Sequence, residues 1–136
     1  MTAALARGVE RSYPREAQAR YDTGAIGDSA ASCLLMELET WPKPGLVSHV
    51  DNGSHEDMDA DTFRSSATAI KPYFQHLADA GAAGCDMGRL RIIGLEAEAA
   101  MLAATSGVNT HRGAIFGLGL LCAAAGARAG GLVQRF

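Results

Sequence analysis

Aromatic side chains are scarce in this chain, at 6% of 136 residues. Strands draw on aromatic and β-branched residues, so this shortage, beside 26 alanines, speaks against an all-β fold and for closely packed helices. Positive charge is short as well. Twelve Lys and Arg against fifteen Asp and Glu leave a net charge of −3, with no global field for a polyphosphate backbone, so no nucleic acid is expected as a partner. Cysteine occurs only as Cys33, Cys85 and Cys122, an odd set without C-x-x-C spacing. That excludes a disulfide framework or a zinc knuckle and fits a reducing cytoplasm. Long apolar runs are missing too. The N-terminal stretch Ala3-Ala4-Leu5-Ala6 is too short for a signal-peptide core. The uncharged stretch from Gly113 to Ala127 has 15 residues, against the roughly 18 that a spanning helix needs. It reads as a buried helix, and no membrane is expected.

What is present is material for one core: 48% of residues are hydrophobic, and a chain of this length buries roughly two-thirds of its unfolded surface. The expectation is an all-α, single-domain bundle of about five helices, with residues 1–22 as a variable lead-in that includes a short helical stretch. A first helix over residues 24–40 carries Ile26, Ala30, Cys33 and Glu37 on one stripe, with Asp28 and Ser29 in its first turn. Trp41-Pro42-Lys43-Pro44-Gly45 cannot continue it, and a loop follows to Asp59. Asp59 or Asp61 caps a second helix with Phe63, Ala67, Ile70, Phe74 and Leu77 inward, kinked at Pro72. A third helix, over residues 86–105, turns Leu90, Ile93, Ala97, Ala100 and Ala104 inward. A last one runs from Thr110 to Gly126 with Ile115, Leu118, Cys122 and Ala125 on its buried side.

Three places carry polar residues that packing alone would not select. Glu37 stands on an apolar stripe near a helix C-terminus, where the macrodipole disfavours negative charge; it is either a ligand or metal residue or half of a structural ion pair. The loop Asn52-Gly53-Ser54-His55-Glu56-Asp57-Met58 gathers carboxylates and an imidazole. Such an oxygen-rich set suits Mg²⁺ carried with phosphates; the alternative is that Asp57 caps the helix and His55 is solvated. The turn Ser106-Gly107-Val108-Asn109-Thr110-His111-Arg112-Gly113 opens a helix, so free backbone N–H groups and the Arg112 fork form an anion site suited to a triphosphate. Glu98 and Thr105 lie seven residues apart on one face of the preceding helix, and Lys43 offers a point charge from between two prolines.

Taken in order, Glu37, Pro42-Lys43-Pro44-Gly45-Leu46-Val47, Gly53-Ser54-His55-Glu56-Asp57-Met58, Glu98-Ala-Ala-Met101 and Ala104-Thr105-Ser106-Gly107-Val108-Asn109-Thr110-His111-Arg112-Gly113 resemble the triphosphoribosyl-dephospho-CoA synthases. These enzymes make the prosthetic-group precursor for the acyl carrier protein of citrate lyase or malonate decarboxylase. The resemblance covers about residues 25–126 and implies an all-α protein that uses ATP and 3′-dephospho-CoA. The dephospho-CoA 2′-hydroxyl attacks the anomeric carbon of the ATP ribose, adenine leaves, and the triphosphate stays on the sugar. In this reading Glu37 and Glu98 are the catalytic carboxylates. Lys43, Pro44, Gly45, Asn52, Thr105, Asn109, Thr110, His111, Arg112 and Gly113 bind nucleotide, and His55 with Asp57 holds Mg²⁺. Trp41 departs from the small hydroxyl residue frequent there in the family. Family members are also substantially longer, so residues 23–128 resemble an N-terminal half and residues 129–136 a non-matching tail. The expectation is therefore either a transferase or a truncated nucleotide-binding homologue. The last helix, apolar almost all round, should need a second copy or a partner chain to cover it.

Overall fold

A computed structural model describes residues 22–131, which form four α-helices and no strand. They are α1 (Thr23–Leu38), α2 (Ala60–Ala82), α3 (Met87–Ala104) and α4 (Arg112–Ala129). The all-α expectation holds. The fifth helix expected in the lead-in falls outside the described residues.

Each helix starts where local chemistry supplies an acceptor for its unpaired N–H groups. The Asp22 carboxylate accepts from Gly24 N at 3.0 Å, so Asp22 caps α1 and the expected Asp28 and Ser29 do not. Asp59 caps α2 in a reciprocal box, accepting from Thr62 N while the Thr62 hydroxyl accepts from Asp59 N. Thr62 N first and then the Thr62 hydroxyl, both donating to it, hold the Asp59 carboxyl below the usual carboxylate range. Asp86 caps α3 through Arg89 N. Pro72 lies inside α2 without ending it.

The core gathers around α2, whose Ile70, Phe74 and Ala78 are fully buried and which packs against all three other helices. On one side Gly27 of α1 rests on the Gln75 backbone; a Cβ there would come within 2.9 Å of Gln75 N. On the other side α4 approaches so closely that a Cβ on Gly81 would strike the Ala123 carbonyl, and one on Gly126 the Ala78 carbonyl. Ser66 near the start of α2 meets His111 at the start of α4, and Gly130 just past the end of α4 lies against Ala82, so the two helices run in the same direction. Glycine and alanine make this possible because they leave no side chain between the backbones.

The buried faces differ from the expected ones in phase. In α1 the inward residues are Gly27, Ala30, Ala31, Leu34 and Leu38, while Cys33 and Glu37 face outward. Alanine and glycine are so frequent here that a stripe rotated by one position looks equally apolar. In α3 Met101 is buried and Ala104 exposed, because the long thioether fills the space beside α2. In α4 Ile115 and Cys122 are buried as expected, with the Cys122 thiol pushed up to about 11 by burial. Leu118 and Ala125 are only partly covered, and the helix runs on through Gly126 to Ala129. Nor is α4 buried all round, since Phe116 is 70% and Leu121 66% exposed.

Two alanine substitutions should separate close approach from helix propensity. Gly126→Ala forces the α2 and α4 backbones apart and should cost roughly 1–3 kcal/mol by overpacking. Gly94→Ala meets nothing within 4 Å and should stabilise by up to about 1 kcal/mol. Urea unfolding of the two variants beside the parent chain checks both signs.

Candidate functional site

The long connection between α1 and α2 has no regular structure, yet it is built around fixed points. Lys43-Pro44-Gly45-Leu46 forms a type II turn: Leu46 N donates to Lys43 O at 3.0 Å, and Gly45 supplies the positive φ of 80°. Val47 and Ser48 are buried, the Ser48 hydroxyl accepts from Val50 N and Asp51 N, and His49 N donates back to Leu38 O. The second loop motif folds onto the first. Ser54 N donates to Gly45 O at 3.1 Å, and a side chain on Gly53, whose φ is 58°, would fall on the Gly45 carbonyl carbon. Trp41 lies over the outside of this loop, with its indole N–H donating to Asp51 Oδ2 at 3.3 Å.

Lys43 accounts for Glu37. Its Nζ lies 2.6 Å from Glu37 Oε1 and 2.6 Å from the Glu37 carbonyl oxygen, so one ammonium satisfies both the carboxylate and the negative end of α1. The Lys43 side chain is only 10% exposed, against 52% for Glu37. Glu37 is thus not the buried carboxylate expected from the stripe but a half-open one held by a nearly buried cation.

The turn into α4 is equally determined. Thr105 ends α3, Ser106 and Gly107 take left-handed conformations with φ of 55° and 89°, and Gly107 N donates to Leu102 O at 2.8 Å in a Schellman-type closure. The buried Thr105 hydroxyl lies 2.8 Å from Met101 O and 2.6 Å from Val108 O, so it holds this turn and does not share a cavity with Glu98. Asn109 Oδ1 accepts at 3.1 Å from Arg112 N, the first N–H of α4, whose N-cap position is taken by His111. Gly113 is open, because a Cβ there would meet nothing within 4 Å. Arg112 reaches back to α3, with Nη2 2.6 Å from Glu98 Oε1. That pair stands at one end of a groove of about 580 Å³ between α3 and α4, lined mainly by apolar residues including Leu95, Ile115 and Phe116.

His111 is buried and joined to α2. Its Nδ1 lies 2.6 Å from Ser66 Oγ, which in turn accepts from the Thr110 hydroxyl at 2.6 Å. Phe63 meets the ring edge-on at 4.8 Å between centroids, and His111 N donates to Met101 Sδ. Burial pushes the imidazole pKa down and Glu37 pulls it partly back, so Glu37 acts on the same place from α1. Ser66 had no part in any motif. A serine on the stripe between Phe63 and Ile70 was the signal available for it.

The ends of α1 and α3 and the starts of α2 and α4 thus bring Glu37, Lys43, Glu98, Thr110, His111 and Arg112 to one end of the bundle. His55 and Asp57 face each other at 3.6 Å, both well exposed. Neither is brought to those residues by any bond, nor is Asn52, whose carbonyl accepts from His55 N. No group of three or more His, Cys, Asp or Glu side chains able to hold a metal occurs among the described residues.

Residues 23–135 match the family model described as ATP:dephospho-CoA triphosphoribosyl transferase. The chain belongs to this family. It is 46% identical over 128 residues to the 2-(5''-triphosphoribosyl)-3'-dephosphocoenzyme-A synthase of Pectobacterium atrosepticum, an alignment covering 90% of this chain and 42% of the relative. It is 42% identical over 116 residues to the protein of the same name from Haemophilus ducreyi, covering 81% of this chain and 36% of the relative. The chain therefore spans less than half the length of the curated relatives it matches. No solved structure matches it significantly.

Glu37→Gln tests what the carboxylate does for the fold. Lys43 keeps the Glu37 carbonyl but loses its counterion, so stability should fall by about 1 kcal/mol, less than for a fully buried pair because Glu37 is half open. Thermal unfolding of the variant reads the change; a midpoint at or above the parent's would show that Lys43 does not need the charge.

Proposed function

We propose that this chain carries the nucleotide-binding end of a triphosphoribosyl transferase that acts on ATP and 3′-dephospho-CoA. The observation that carries the reading is the pairing at one end of the bundle: each motif cation, Lys43 and Arg112, holds a motif carboxylate, Glu37 and Glu98. A triphosphate of about four negative charges competes for those cations together with the open start of α4 at Gly113. As Lys43 and Arg112 turn to phosphate oxygens, Glu37 and Glu98 are released as free carboxylates beside the ribose. Either can take the proton of the attacking 2′-hydroxyl or stabilise the oxocarbenium-like charge at the anomeric carbon while adenine departs. The new bond joins the 2′-oxygen to that carbon, the bond to adenine nitrogen breaks, and the triphosphate stays on the transferred sugar. Mg²⁺ belongs to this reading as an ion that arrives on the triphosphate, with Asp57 the carboxylate closest in type to its needs. The product is the prosthetic-group precursor for the acyl carrier protein of citrate lyase or malonate decarboxylase, and the compartment is the cytoplasm. No helix among the described residues is long and apolar enough to cross a membrane.

A second reading is a half-enzyme or inactive nucleotide-binding homologue, and a specific observation favours it. Met87, Ile92 and Leu95 on α3 and Phe116, Leu120 and Leu121 on α4 are exposed, an apolar face wider than isolated surface residues make. Such a face needs cover from a second copy of this chain or from a partner chain.

Incubation with ATP, Mg²⁺ and dephospho-CoA, with released adenine followed by chromatography, separates turnover from binding alone. Arg112→Ala should weaken ATP binding by roughly 1.5–3 kcal/mol in calorimetry while leaving the fold intact, since Arg112 is exposed and off the buried side of α4. Unchanged affinity would remove Arg112 from the site. Sedimentation at micromolar concentration should show association through the α3 and α4 face, and a fully monomeric species would show that this face is tolerated bare.

A further inference from the structure

Ser66 is fully buried in the middle of an apolar stripe, and the reaction chemistry gives it no task. Its hydroxyl has one proton to donate. The Thr110 hydroxyl is directed at Ser66 Oγ, and the remaining acceptor within reach among the described residues is His111 Nδ1. The chain of donation therefore runs from Thr110 to Ser66 to His111. A ring that accepts at Nδ1 and stays neutral carries its proton on Nε2. His111 is 6% exposed, and its Nε2 has no hydrogen-bond partner among the described residues. Phe63 of α2 and Met101 of α3 hold the ring and its backbone, and Glu37 of α1 is the charged group that acts on it.

We infer that Ser66 is a positioning residue that fixes His111 as the neutral Nε2–H tautomer, presenting a hydrogen-bond donor to a phosphate oxygen of the bound nucleotide. Lys43 and Arg112 are already matched by carboxylates, whereas this donor has no partner to exchange among the described residues. The ligand half of the inference rests on the nucleotide reading above; the tautomer half does not.

The test is long-range ¹H–¹⁵N correlation spectroscopy of the histidine rings in the full chain at neutral pH, with His111 assigned through His111→Asn. The expected spectrum shows His111 neutral with the proton on Nε2, and its Nε2 resonance shifts on addition of ATP or of inorganic tripolyphosphate. Ser66→Ala, checked for folding by circular dichroism, should move His111 towards a tautomer mixture and raise the ATP dissociation constant threefold or more. A wild-type ring protonated on Nδ1, or charged at neutral pH, overturns the inference. So does an Nε2 resonance unmoved by saturating ATP, a result that stands even if Ser66→Ala fails to fold. A chain that binds no ATP in calorimetry overturns the nucleotide reading and the ligand half with it. The tautomer spectrum still decides the Ser66 half.

Discussion

Direct backbone contact between α2 and α4 is the constraint on which the rest of this structure depends. Because Gly81 and Gly126 leave no Cβ between the helices, each rests on the other's carbonyl groups. The two helices run in the same direction, so their N-terminal ends lie side by side. That is why Ser66 on α2 meets Thr110 and His111 at the entry to α4. A wider spacing, filled by leucines as in most helix pairs, would open this junction and expose the imidazole.

At the same end of the bundle, both motif cations are matched by carboxylates. Lys43 neutralises a carboxylate and a helix C-terminus together, and Arg112 ties the start of α4 to Glu98 of α3. A nearly buried ammonium is tolerable only with such partners. The two cations are therefore each neutralised within the protein. In the proposed reading, an incoming anion substitutes for the carboxylates already held by Lys43 and Arg112.

Much of this was legible in the residues. The loop after Thr40 follows from two prolines, the start of α2 from Asp59, and the turn after α3 from Ser106-Gly107. The phase of α1 was not legible, because hydrophobic periodicity distinguishes faces poorly when seven of sixteen positions are alanine, glycine or serine. Glu37 was assigned to the wrong face for that reason, and the ion pair that explains it spans a loop whose path no periodicity describes. Thr105 shows the converse limit: a hydroxyl inside a ligand motif can be wholly occupied with its own backbone. Ser66 was visible only as an exception on an apolar stripe, and its partner lies 45 positions away.

The stacking of Gly53 on Gly45 makes the two loop motifs a single object. A side chain on Gly53 would displace the Gly45 backbone, whereas one on Gly45 would meet only Ser54 Oγ at 3.4 Å and is disfavoured instead by the positive φ of the turn. Transplanting Pro-Lys-Pro-Gly alone into another helical scaffold would carry the turn but not the surface that supports it. The unit that can be moved, or inherited, is the whole segment from the end of α1 to Ser54.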